Sequence, residues 1–299
     1  MTVENQRENV GLAAQSLAAV VRAGHDLIVT HGNGPQVGLL ALQAAAYSPT
    51  ESYPLDVLNA ESEGMIGYLI EQQLGALLPP DRSCATLLTQ VEVDPADRAF
   101  VQPTKPIGPI YQKAQAEKLA KELNWSIAPD GDGWRRVVAS PLPKRIIELQ
   151  AIELLVSKRV VVICTGGGGI PVIVRPDGGL VGVEAVIDKD WASALLARQL
   201  GARALLLLTD VPAVYTDWDT PQARRIHRAS PDVMATFEFA AGSIGPKVQA
   251  ACAFVRETGG FAGIGRLEDA IGILDKQNGT ILTNEAKNLD WHSGQYADL

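Results

Sequence analysis

Residues 160–171 read VVVICTGGGGIP. An unbroken apolar run, rich in β-branched residues, enters four consecutive glycines and leaves through a proline. Such a run reads as a buried strand. Four glycines in series lose much conformational entropy on folding, which a chain accepts where bare backbone must approach a ligand. Working outward, the same kind of turn recurs at 27–38, LIVTHGNGPQVG, and at 242–248, GSIGPKV. Glycines let backbone N–H groups crowd around an anion, and the following helix adds the positive end of its dipole. Three such turns with isolated lysines predict an enzyme that handles phosphate or carboxylate groups.

Around these turns the periodicity gives strands alternating with helices. Val10, Ala14, Leu17 and Val21 share one helix face, with Thr2 as cap and Gly24 as stop. Asp26–Thr30 reads as a short strand, Leu39–Ala46 and Ser62–Leu77 as helices, and Ala85–Val93 as a strand. Between about Asp94 and Val138 the composition changes. Pro103, Pro106 and Pro109 precede a charged helix near Gln112–Leu123 and a turn at PDGDGW, an excursion from the main sheet. Lys144–Leu155 reads as a helix, Pro171–Arg175 with Leu180–Val183 as a hairpin, and Asp190 as the cap of a helix to Leu200. Ala204–Thr209 is an apolar strand, Pro246–Glu257 the last strong helix, and the stretch after Thr283 peripheral. The alternation predicts an α/β fold with a mainly parallel sheet.

At 299 residues, 46% hydrophobic and 20% charged, the chain holds one large α/β domain or two lobes. A net charge of −8 argues against general nucleic-acid or anionic-membrane binding, so anionic substrates must meet local positive groups. Cys84, Cys164 and Cys252 lie far apart with no C-x-x-C spacing, as expected of reduced thiols in a cytoplasmic protein. No apolar run reaches bilayer length, and the start MTVENQRENV is polar. His25, His31, His227 and His292 form no metal-ligand spacing.

The residues that could carry chemistry follow from the turns. Asn33 offers an amide in a turn where Gly34 lets backbone approach a small ligand; the alternative is an ordinary strand–helix connection. In Asp188-Lys189-Asp190 a lysine at a helix start can reach a phosphoryl group while an aspartate orients it; the alternative is a solvated cap cluster. Lys105 is flanked in PTKPIGP by prolines that would hold its position; the alternative is a surface loop. Lys247 sits in the first turn of a helix, where a cation opposes the dipole unless an anion offsets it. Asp210 and Tyr215 follow an apolar strand, where open α/β sheets bind ligands; the alternative is a capped loop with a packed tyrosine.

Taken together, the chain resembles the carbamate kinases of the amino-acid kinase superfamily. The resemblance rests on THGNGPQVG (30–38), GMIGYLIEQ (64–72), TLLTQVEVD (86–94), PTKPIGP (103–109), GWRRVVASP (133–141), TGGGGIPV (165–172), AVIDKDWASALLA (185–197), LLTDVPAVYTDWDTPQARRI (207–226) and GSIGPKVQAA (242–251). It implies a three-layer αβα sandwich. A carbamate-binding N-terminal lobe would span 1–202, with a protruding subdomain at about 94–138, and a nucleotide-binding C-terminal lobe would span 203–299. The implied reaction is carbamate + ATP ⇌ carbamoyl phosphate + ADP, with Mg²⁺, in a cytoplasmic homodimer. By the matching motifs, Lys189 contacts the phosphoryl group, Asp188 orients it and Lys105 reaches in as a mobile clamp. Asn33, Gly34, Gly166, Gly167 and Gly168 surround carbamate, while Lys247, Gly245, Asp210 and Tyr215 serve the nucleotide.

The family opens with a strand and a G-G-N turn ahead of the helix that here starts near Thr2. Without them the sheet is expected to be incomplete at the N-terminus and the site to lack one anion cradle, as in a natural fragment or a chain with a misplaced start. Pro212 and Trp191 stand where aspartate and leucine are common. Two other readings remain open: a non-catalytic or truncated homologue that still binds nucleotide, and an amino-acid kinase acting on another carboxylate.

Overall fold

The computed structural model describes residues 3–47, 53–240 and 244–293. Thr2, expected to cap the first helix, and Gly242 and Ser243 of the third glycine turn lie outside the described residues. The chain forms two compact units, one of Ile28–Gln72 and Arg82–Ala192, the other of Met1–Leu27, Gln73–Asp81 and Ser193–Leu299. This partition differs from a single cut at 202, because the first helix, α1 (Val3–Arg22), packs on elements near the C-terminus. It ends as expected at Gly24, whose φ of +92° lets its N–H reach Val21 O at 3.0 Å.

In the Ile28–Ala192 part, β1 (Ile28–Val29) runs through the HGNG turn into α2 (Gly34–Tyr47), followed by α3 (Leu55–Gly75). The stretch read as one strand at 85–93 is two, β2 (Cys84–Thr86) and β3 (Gln90–Val93), because the chain turns at Leu87–Thr89 and changes sheets. The excursion holds β4 (Lys105–Tyr111), α4 (Lys113–Leu123), β5 (Ser126–Asp130) and β6 (Gly133–Val138). The helix expected at 144–155 is instead β7 (Pro143–Ile146) followed by α5 (Leu149–Ser157). Glu148 separates them, and its carboxylate accepts from the N–H of Gln90 at 2.7 Å, tying this junction to β3. Then come β8 (Val161–Ile163), the hairpin β9 (Ile170–Val174) and β10 (Leu180–Gly182), and α6 (Lys189–Gln199).

Strand β8 lies between β1 and β2, parallel to both. Val161, Val162 and Ile163 are fully buried, which is why this strand shows no polar alternation. A second sheet has the order β10-β9-β3-β7, and the excursion forms its own antiparallel sheet, β4-β6-β5. Ile107 and Val138 root the excursion in a buried cluster with Val37, Ala41, Leu55, Leu58 and Val186. At this root a Cβ on Gly38 of α2 would overlap the Gly108 backbone of β4, so helix and strand touch main chain to main chain.

The other unit contains β11 (Ala204–Thr209), β12 (Tyr215–Thr216), β13 (Arg224–Ala229), α7 (Pro231–Met234), α8 (Ile244–Thr258), β14 (Phe261–Arg266), α9 (Ala270–Leu274), β15 (Thr280–Leu282) and β16 (Asp290–Trp291). Its sheet runs β11-β14-β15-β13-β12. Helix α8 packs on β14, β11 and β15 through its buried face, and α1 packs on α9 and the preceding turn Leu267–Asp269. The stretch after Thr283, read as peripheral, supplies β16, which pairs with β13 and lays Trp291 under the Arg224 guanidinium at 3.8 Å.

Candidate active site in the first unit

The tetraglycine segment is a tight bend at the end of β8, with Gly167, Gly168 and Gly169 all at positive φ. The glycines are required by crowding as much as by dihedral angle. A Cβ on Gly167, whose φ is +66°, would overlap the Asn33 side-chain amide, and one on Gly166 would overlap the His31 ring. The bend does not, however, leave its N–H groups open. Gly166 N–H donates to Glu63 Oε1 at 2.8 Å, Gly167 to His31 O at 2.7 Å, Gly168 to Thr165 O at 3.1 Å and Gly169 to Gly166 O at 3.0 Å. The amides expected to ring an anion are thus already engaged with backbone and Glu63. The bend spends its donors on holding its own shape and on gripping the HGNG turn.

That turn is the more open element. α2 begins at Gly34, the following Pro35 carries no N–H, and Val37 N–H bonds Asn33 O at 2.9 Å. Among the described residues beyond its chain neighbours and its own helix backbone, no atom lies within 4 Å of where a Cβ on Gly34 would sit. Asn33 is buried, and its amino group donates to Asn59 Oδ1 at 3.0 Å and Ser62 Oγ at 2.9 Å. Asn59 in turn donates to Ala185 O at 3.1 Å, which fixes the sense of both amides. Among the described residues the Asn33 side-chain oxygen accepts no hydrogen bond, whereas its amino group is engaged twice.

The lysines complete the picture. Lys105 Nζ on β4 reaches Asp188 Oδ2 at 2.6 Å. Asp188 Oδ1 accepts from the N–H groups of Asp190 at 2.9 Å and Trp191 at 3.4 Å, so Asp188, not Asp190, caps α6. Burial pushes the Asp188 carboxyl up, but the Lys105 ammonium and the two amides outweigh it and hold the carboxyl below its ordinary value. The next residue, Lys189, lies over the HGNG turn: a Cβ on Gly32 would be 3.3 Å from its Nζ. Burial lowers the His31 pKa to about 4, opposed by its contact with Gly32 and reinforced by Lys189, so the imidazole is neutral at pH 7. Lys105, Asp188, Lys189, the HGNG turn and the tetraglycine bend thus form one neighbourhood built from four segments distant in sequence.

Sequence reading missed Asn59, Ser62, Glu63 and Thr89. The signal was present on α3. Leu58, Ile66, Leu69, Ile70 and Leu74 mark its buried stripe, and Asn59, Ser62 and Glu63 fall on the same stripe, all at most 1% exposed. Polar residues in a buried stripe require partners.

The residues expected at the nucleotide lie in the other unit on separate elements. Asp210 follows β11 and is exposed, accepting from Thr209 Oγ1 at 3.0 Å. Tyr215 on β12 meets Trp218 edge to face at 4.9 Å. Lys247, in the first turn of α8, is only 8% exposed, and Gly245 has no room for a Cβ because Ala240 O would be 2.8 Å away.

The sequence profile of the amino acid kinase family matches residues 2–261, so the chain belongs to that family. Within it the chain is a member of the carbamate kinases. It is 53% identical over 293 residues to a carbamate kinase of Haemophilus influenzae, covering 98% of this chain and 94% of that one. It is 51% identical over 294 residues to a carbamate kinase of Rhizobium meliloti, covering 98% and 90%. The solved structure of the Giardia lamblia carbamate kinase bound to AMP-PNP superposes with a TM-score of 0.85 at 39% identity, covering 94% of this chain and 92% of that one.

Proposed function

We propose that the protein transfers a phosphoryl group between ATP and carbamate, carbamate + ATP ⇌ carbamoyl phosphate + ADP. The observation that carries this reading is the meeting of Lys105, Asp188 and Lys189 beside the HGNG turn. Carbamate is already an anionic oxygen nucleophile, so no general base is needed, in keeping with a neutral His31. The work left to the protein is in-line placement and neutralisation of charge on the migrating group. Lys189 contacts the phosphoryl group, Asp188 holds the α6 start that presents Lys189, and Lys105 closes from the excursion. Carbamate lies against Gly34, Asn33 and Gly166–Gly168, its amino group donating to Asn33 Oδ1, since the Asn33 amino group is already engaged. Lys247, Gly245, Asp210 and Tyr215 hold the nucleotide.

Mg²⁺ belongs to this reading as the partner of the nucleotide phosphates. Among the described residues no group of three His, Cys, Asp or Glu could cage a metal ion. Mg²⁺ needs none, since it commonly binds through substrate phosphates and one or two carboxylates. Its chemistry would be to neutralise phosphate charge.

We place the enzyme in the cytoplasm as a homodimer. Its three cysteines are all free, and among the described residues no helix is long and apolar enough to cross a membrane. Light scattering tests the dimer. The decisive assay is ATP formation from carbamoyl phosphate and ADP. Tight ATP binding without any turnover would overturn the reading.

A further inference from the structure

Glu63 is a buried carboxylate with no part in the chemistry above, yet it touches the site's scaffold at two points. It lies on α3 and is 1% exposed. Its Oε1 accepts from Gly166 N–H at 2.8 Å and its Oε2 from Thr89 N–H at 3.3 Å. Thr89 in turn accepts from Thr165 N–H through Oγ1 at 3.0 Å. One side chain therefore fixes the entry to the tetraglycine bend and its first amide together. The next amide, Gly167 N–H, grips His31 O at 2.7 Å, and Asn33 packs over Gly167. A continuous chain of contacts runs from Glu63 through the bend to the turn that opens α2. There is little slack in it: a Cβ on Gly166 would overlap the His31 ring and lie 2.9 Å from Glu63 Cγ.

We infer that Glu63 is a positioning residue for phosphoryl transfer: by holding the Gly166 and Thr89 amides at once, it fixes the tetraglycine bend against the His31–Gly34 turn, where carbamate is seated. The inference rests on the functional reading above and adds a residue to it. An ionised carboxylate accepts from both amides through charged oxygens, whereas a protonated one presents a hydroxyl oxygen to one of them, a weaker acceptor that loosens that contact.

The surroundings make this charge state sensitive to pH. Burial raises the Glu63 pKa to about 8; the Gly166 and Thr89 hydrogen bonds pull it down, and Glu148 pushes it further up. The other titratable groups facing it are Cys164, whose thiol is pushed up to about 12 by burial, and His31, lowered to about 4, with Lys189 beyond His31. Both Cys164 and His31 stay neutral through the range in which Glu63 titrates.

The test is ATP formation from carbamoyl phosphate and ADP between pH 6 and 9, with KM measured separately for each substrate in wild type and Glu63→Gln. In wild type the KM for carbamoyl phosphate is expected to rise as pH falls through about 8, with the KM for ADP flat. Glu63→Gln can accept only one amide and turns an amino group toward the other. It is expected to lose the pH dependence and hold the carbamoyl phosphate KM about tenfold above the wild-type value at pH 9, the size of one mismatched hydrogen bond. Unchanged KM and unchanged pH profile in Glu63→Gln would overturn the inference. So would an equal rise in both KM values with a lower thermal midpoint, which marks a general packing defect. If Glu63→Gln does not fold, the wild-type profile decides, because a flat carbamoyl phosphate KM overturns the inference by itself. Absence of any transfer by wild type would instead overturn the functional reading, and this inference with it.

Discussion

Asp188 combines two duties in one carboxylate. One oxygen anchors Lys105 and the other caps the helix that carries Lys189. Asp188→Ala removes both, and kcat is expected to fall about 10²-fold or more by the loss of charge placement, with about 1 kcal/mol of stability lost with the cap. Asp188→Asn keeps an acceptor for the cap and loses the ion pair, so turnover should fall while urea stability is largely retained. The folded-state pKa of this carboxyl is depressed, so its contribution to stability is present above the ordinary carboxylate value and lost as pH falls through the depressed one. Acid unfolding of Asp188→Asn followed by circular dichroism should lack that share. Glu63 has the opposite sign. Its folded-state pKa is raised from 4.5 to about 8, so the stability it contributes is fully present below 4.5 and lost as pH rises through about 8. The thermal midpoint of wild type should therefore fall relative to Glu63→Gln between pH 5 and 9. Ionising this buried carboxyl as pH rises through about 8 costs stability in exchange for placement.

At the scale of elements, the contact between α2 and β4 governs where Lys105 can be. Gly38→Ala would force the Gly108 backbone away, since neither partner has a flexible side chain to yield. The cost expected of such overpacking is about 1–3 kcal/mol, and Lys105 should be carried off Asp188, lowering kcat at least tenfold. Urea unfolding and steady-state rates check the two effects. The glycines at 38 and 108 were visible in the sequence, but their partnership was not, because it joins residues 70 positions apart whose only chemistry is the absence of a side chain. The strand at 161–163, the hairpin at 170–182 and the long helices were legible because apolar period and turn residues agree there. Local pattern failed at 85–93 and 144–155, where burial by two different sheets, and a glutamate tied to a distant amide, decide the break. Lys105, Asp188 and Lys189 were singled out in the sequence, and the structure brings them together. Glu63 was not, since carboxylates on helices are ordinarily solvated.

For the molecule as a whole, the first helix matters to the last third of the chain. Ala14 and Ala18 of α1 are fully buried, and α1 packs on α9 and the Leu267–Asp269 turn. Ala18→Asp buries an unpaired charge there and is expected to destabilise the unit that carries Lys247 and Asp210. Wild type should gain about 2.7 kcal/mol of stability at a hundredfold excess of ATP over its Kd, and Ala18→Asp should show a much smaller ATP-dependent thermal shift in fluorimetry. No local pattern announces this grouping, because it depends on contacts spanning nearly the whole sequence.

The buried cluster at the root of the excursion has a consequence for recombination. Ile107 and Val138 interlock with Val37, Ala41, Leu55, Leu58 and Val186, which lie outside the inserted segment. A chimaera that swaps 94–138 for the equivalent stretch of a cousin would inherit a socket cut for someone else's plug. Exchange between relatives should succeed only when these five hosts travel with the cassette, which makes the segment a tenant of its socket rather than a freestanding module.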